Sequence, residues 1–164
     1  MPKDYSLNAT LPNNAQRRPE HMRDDDWARD FLRRAHVGHV ATRWGGQPFI
    51  NPTLFWYDPE RREIYFHSNA VGRMRANAGQ SERVCFEASE FGKLLPANVA
   101  LEFSIQYQSL IAYGRIRVLE DFEEKRRAAV WPYRQILPDD DGGERISPDH
   151  RGRIKTHQRL CDCD

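Results

Sequence analysis

REIYFHSNAVGRMRAN, residues 62–77, is the stretch whose reading decides the fold. Its first half alternates, with Ile64 and Phe66 on one side and Tyr65 and His67 on the other, the period-two signature of a strand. His67-Ser68-Asn69 ends the alternation, and Gly72 and Arg73 stand on the first turn of a helix expected over 71–79, ending near Gly79. A strand that hands over to a helix start gathers unpaired backbone N–H groups, hydroxyl and amide side chains and a cation. Orphan N–H groups and the positive helix end both favour an anion, and the combination suits a phosphate monoester.

Upstream, Asp24-Asp25-Asp26 precedes WARDFLRRA, where Trp27, Phe31, Leu32 and Ala35 recur at helical spacing. Asp24 or Asp25 is the expected N-cap, and Arg33 and Arg34 suit the negative end. From His36 the period changes to two, giving a first strand through Thr42, and Gly45-Gly46 signals a hairpin turn. The second strand, 47–57, carries Pro48 and Pro52, which implies an edge or a bulge. Asp58-Pro59 turns the chain into 62–67.

Downstream, 83–87 alternates and 88–100 reads as a connection. Residues 101–107 and 109–119 read as a strand pair or one long bent strand. Asp121 and Glu124 form a capping box for a helix through EEKRRAAVWPYRQIL, which Pro132 should kink or restart. Residues 138–153 read as a loop, and 1–20 as a flexible arm. Strands joined by short turns argue for an antiparallel sheet, and about six of them usually close into a barrel.

Composition bounds the function. A chain of 164 residues forms one domain with a real core. A formal net charge of +1 supplies no global field toward nucleic acid or an acidic membrane. No apolar run approaches a membrane span, the N-terminus lacks an apolar signal region, and three cysteines make a poor disulfide framework, so a reducing cytoplasm is expected. Cys161 and Cys163 have no His/Cys pair at zinc spacing, and His36 and His39 lie three apart on a strand, so no metal site is expected.

In order and spacing, VGHVAT (37–42), QPFINPTLFWY (47–57), IYFHSNAVGRM (64–74), RVCFEAS (83–89) and YQSLIAYGRIRVLEDFEEKRRA (107–128) resemble proteins related to pyridoxamine 5'-phosphate oxidase. They look most like the flavin-binding split-barrel subgroup that includes nitroimidazole-resistance proteins. The resemblance implies a mainly β (α+β) domain over 21–155, a six-stranded antiparallel split barrel with flanking helices. It implies a homodimer with flavin mononucleotide (FMN) at the interface, and electron or hydride transfer to a small organic acceptor. It puts the FMN phosphate and ribityl near His67, Ser68, Gly72 and Arg73. Asn51, Pro52 and Thr53 would face the ring, and Tyr107, Gln108 and Ser109 would reach the same cleft. His67 matches the histidine placed beside flavin and substrate, and is the expected catalytic residue.

The chain departs from the family in three places. Met74 stands where a lysine is common, Gln108 where many relatives carry arginine, and 156–164 (THQRLCDCD) lacks the final alternating strand. A one-base frameshift accounts for the tail: one permitted codon choice reads, shifted, as Pro-Thr-Ser-Val-Tyr-Ala-Ile-Ala. A broken frame would remove a barrel strand. Blander readings stand beside each residue. His67 could be structural, Ser68 and Asn69 could cap the helix, Arg73 could be a solvated surface residue, and Tyr107 and Ser109 could pack a core. The competing functions are a non-catalytic binder of flavin, deazaflavin or haem, and an inactive remnant. Resequencing the locus checks the frameshift, which predicts a one-base change near codon 156.

Overall fold

The computed structural model describes residues 19–136 and 156–162. The arm at 1–18, the loop at 138–153 and Cys163 lie outside the described residues. The elements are α1 (Asp25–Arg34), β1 (Val37–Trp44), β2 (Gln47–Asp58), β3 (Glu63–Ser68), α2 (Arg73–Gln80), β4 (Arg83–Leu95), β5 (Ser104–Val118), α3 (Phe122–Ile136) and β6 (Thr156–Asp162). Among the described residues no helix is long and apolar enough to cross a membrane.

The protein is mainly β with flanking helices. Strands β3-β2-β1-β4-β5 form a curled antiparallel half-barrel. The backbone of β6 runs antiparallel to β3, from Ser68↔Thr156 to Glu63↔Cys161, and to β5, from Val118↔Gln158 to Gly114↔Asp162, so the ring closes. This differs from the expectation that the altered tail forfeits a strand. A ladder is made by N–H and C=O groups, which every non-proline residue carries, so an edge can pair a segment without apolar alternation.

Local chemistry explains the turns. Asp24 caps α1, its carboxylate accepting from the Trp27 N–H at 2.8 Å. Gly45 and Gly46 adopt φ of 54° and 85°, as a two-residue hairpin between Trp44 and Gln47 requires. Strand β2 pairs with β3 only over Phe55–Asp58, so Pro48 and Pro52 lie in the half of β2 that β3 leaves open. The Asp58 carboxylate accepts from the Glu60 and Arg61 N–H groups at 3.0 and 3.1 Å and closes the turn into β3. α3 runs through Pro132 as one helix.

The main correction concerns residues 88–100. β4 continues to Leu95 and pairs with β5 from Arg83↔Arg115 to Leu95↔Ser104, with a register shift between Phe91 and Leu94. The 101–107 segment starts with a short helical turn at Ala100–Glu102 before β5. Gly92 and Pro96 read as loop signals because one residue's preference is visible in sequence, whereas the paired strand that overrides it is not.

The core fills the barrel with Phe31, Val40, Phe55, Phe66 and Phe86 among others, Phe55 and Phe86 meeting edge to face at 4.8 Å. A second cluster, Trp56, Tyr65, Leu119 and Ala128, covers the other face of β2 and β3. Both faces of β3 are therefore buried from Glu63 to Phe66, and only His67 and Ser68 emerge. The Tyr65 hydroxyl donates to Glu63, and burial with that carboxylate pushes its pKa well above the ordinary phenol value.

At Gly38 an added Cβ would fall 2.3 Å from the Phe86 ring and 3.1 Å from the Glu87 carbonyl oxygen. Gly38→Ala should therefore destabilise the fold by about 1–3 kcal/mol through overpacking. Chemical denaturation with an unchanged m-value checks this.

Candidate functional site

The junction between β3 and α2 is built from short-range bonds. The Ser68 hydroxyl donates to the Asn69 carbonyl at 3.4 Å, and the Val71 N–H donates to the Asn69 side-chain oxygen at 3.3 Å. Gly72 then takes φ +144°, a conformation side chains resist, and a Cβ there would meet open space. No side chain caps α2, so neither Ser68 nor Asn69 takes up the N–H groups of its first turn.

Two buried residues set the rotation of α2. Met74 packs into the barrel core, and Asn77, fully buried, donates to the Thr42 hydroxyl at 2.8 Å. The opposite side of the helix is left with Arg73 exposed and Arg75 half-buried. Neither arginine has an ion-pair partner among the described residues, and the first turn of α2 carries no acid. The Arg73 guanidinium sits 5.9 Å from the centre of the Trp44 ring. Beside it a cavity of about 450 Å³ opens between Trp44, the Ala70–Gly72 loop and the Arg75, Ala76 and Gly79 side of α2. The inward Met74 also resolves the lysine departure: a cation at that position would have to leave the core to reach an anion.

The remaining sequence-predicted residues fall into two groups. Asn51, Pro52 and Thr53 pair with Val40, His39 and Gly38, with Pro52 exposed and the other two half-buried. The last β2–β3 pair, Phe55↔Phe66, is one residue from His67 and two from Thr53 and Ser68, so this group shares the barrel end with the junction. Tyr107, Gln108 and Ser109 pair instead with Phe91, Glu90 and Ser89. Three strand spacings, about 14 Å, separate β5 from β2, so one protomer does not bring this group to the junction. Gln108 accepts a bond from Arg34 at 2.5 Å, and Arg34 also pairs with Glu90 at 3.2 Å.

Register also reveals an apolar outer face that the single strands did not announce. Successive rows across the sheet are Ile50-Ala41-Cys85-Tyr113 and Pro52-His39-Glu87-Ile111, bordered by Leu54↔Val37 and Phe91↔Tyr107. Val37, Ile50, Leu54, Phe91, Tyr107, Ile111 and Tyr113 are all exposed. Near its centre His39 Nδ1 lies 2.9 Å from Glu87 Oε2. Sequence reasoning also missed Trp44, Arg75 and Gly79. The available signal was Gly72, Ala76 and Gly79, small residues at helical spacing on one side of α2.

The sequence profile of the pyridoxamine 5'-phosphate oxidase family matches residues 24–160, spanning both the junction and the sheet. The chain belongs to this family. The family member shares its fold with the flavocytochrome Anf3 from Azotobacter vinelandii, at TM-score 0.72 and 24% identity over 84% of this chain and 63% of that one. The chain thus spans less than two thirds of the flavocytochrome's length. A candidate 5-nitroimidazole antibiotic resistance protein from Bacteroides thetaiotaomicron VPI-5482 matches at TM-score 0.66 and 22% identity, over 85% of this chain and 80% of that one. An FAD and heme binding protein from Mycobacterium smegmatis matches at TM-score 0.66 and 15% identity, over 84% and 64%. No curated protein sequence matches the chain.

The Cys85 thiol, on the outer face, is pushed above its ordinary pKa first by burial and then by the Glu87 carboxylate. Its reactive thiolate is therefore scarcer at a given pH than that of an open cysteine. Alkylation at pH 8 followed by peptide mass spectrometry should show Cys85 reacting slowly, faster as pH rises, and faster again in Glu87→Gln.

Proposed function

We propose that this family member is a homodimeric flavoprotein that grips its cofactor by the phosphate at the β3–α2 junction and passes electrons or hydride to a small organic acceptor. FMN is the smallest ligand that satisfies the reading. The carrying observation is the uncapped start of α2, flanked by Arg73 and Arg75 with no acidic partner among the described residues. Guanidinium groups, a Ser68 hydroxyl and first-turn N–H groups form a donor set suited to a phosphate. The neighbours described as a flavocytochrome and as an FAD and heme binding protein agree with a flavin.

The partner in the dimer is a second copy docked on the outer face. The exposed apolar side chains there offer roughly several hundred Å² in one patch, more than a soluble monomer commonly leaves open. Such docking also answers the 14 Å gap, because Tyr107, Gln108 and Ser109 of one copy can approach the junction of the other. The working assembly is then a pair of six-stranded split barrels.

The flavin, when bound, supplies the hydride or one-electron chemistry. The chain's residues do the rest. Arg73 and Ser68 hold the phosphate, Pro52 with Val37 and Leu54 lines an apolar wall against the ring, and the second copy excludes water. His67, exposed at the end of β3, holds a proton near neutral pH and hands it to the acceptor.

Freshly purified protein should absorb near roughly 450 nm, as flavins do, and elute as a dimer. Arg73→Ala should weaken flavin binding by about tenfold or more, the loss of a charge-assisted bond, with an unchanged melting curve. Equal flavin affinity in the two proteins would remove the phosphate assignment. His67→Ala should keep its flavin and lose turnover with a nitroaromatic acceptor, and undiminished turnover would remove the proton-donor role.

A further inference from the structure

We propose that the cavity beside α2 receives an adenylate group, so that the site takes the flavin as its dinucleotide, FAD, in preference to FMN. The inference rests on the flavin reading above and extends it along the helix. The cavity begins at Gly72, at the phosphate grip, and continues past Ala76 to Gly79 and Gln80, with Trp44 as the facing wall. At about 450 Å³ it lies within the common range of ligand sites, about 300–1,000 Å³.

Three features of its lining suit an adenylate. Trp44 is an indole with 40% of its surface open at the rim. Aromatic side chains are the usual platform for a purine, whose π-face stacks without sequence demands. The Arg73 guanidinium stands 5.9 Å from that ring, so the cation that grips the first phosphate is next to the surface that would take the base.

Charge is the second feature. A mononucleotide phosphate needs one cation and a helix start, which Arg73 and Gly72 supply. Arg75 is surplus to that need, yet it is half-buried and lines the cavity. On a helix surface a lone arginine is commonly answered by an acid three or four residues away. Val71, Gly72, Ala78 and Gly79 occupy those positions here. A pyrophosphate carries the second negative charge that Arg75 lacks.

Clearance is the third. A Cβ on Gly79 would meet nothing nearer than the Arg75 guanidinium at 4.0 Å. The glycine therefore leaves open space where the adenylate would lie, at a helix position where glycine itself is unfavourable.

Titrating apo-protein with FMN and FAD, followed by flavin fluorescence, tests this. FAD should bind at least tenfold more tightly than FMN. Gly79→Leu should cut FAD affinity at least tenfold and leave FMN affinity within twofold, while Gly79→Ala, which adds little volume, should leave both near wild type. Melting curves verify that both variants fold. FAD binding no tighter than FMN overturns the proposal, as does an equal loss of both flavins in Gly79→Leu. If FMN binds and FAD shows no advantage, only the adenylate site falls. If neither flavin binds, the flavin reading falls and takes this inference with it.

Discussion

The seating of α2 on the barrel is the constraint on which the rest depends. Met74 enters the core, and Asn77, with no solvent exposure, donates to Thr42 on β1. The second polar atom of that amide, its side-chain oxygen, has no hydrogen-bond partner in the structure. A buried amide with half its capacity met is costly, and losing the Thr42 bond would strand it altogether. The helix is thus held at one rotation. That rotation turns Arg73 and Arg75 outward and sets the small residues of α2 opposite Trp44.

The same architecture leaves the outside of the sheet unfinished. A half-barrel buries its concave side with phenylalanines and its β2–β3 back with Trp56 and Tyr65, but the rows centred on His39 and Glu87 face outward among apolar neighbours. An ion pair set within an exposed apolar patch is an arrangement suited to contact with another surface. It gives register to an otherwise featureless apolar face, a use for which buried polar pairs are best attested.

Much of the fold was legible because it depends on local chemistry. The Asp24 cap, the Gly45-Gly46 hairpin, the Asp58 turn and the Asp121 cap are short-range bonds whose residue types are visible in the chain, and each is made. The helix 71–79 was found within two residues of its start because Gly72 and Arg73 follow a strand that stops abruptly. The reading failed where pairing overrides preference, in the extension of β4 to Leu95 and in the pairing of Thr156–Asp162. For the site, the junction at His67–Arg73 was legible, since strand end and helix start are adjacent in sequence. The distance from Asn51–Thr53 to Tyr107–Ser109 was not, because it is counted in strands that intervene only after the sheet is assembled.

From its sequence alone this protein determined a mainly β chain, its turns, its helix caps, and a strand-to-helix junction equipped for an anion. Those features arise from periodicity and from bonds spanning a few residues, which no later packing needs to supply. Tertiary structure decided which side of α2 is exposed, that Met74 is core and not a phosphate ligand, and that Trp44 meets the helix across a cavity. It also decided which apolar strand residues share one open face. Each of these depends on register and rotation between elements far apart in the chain, and both are set by how side chains such as Asn77 and Phe86 pack when the barrel closes around them.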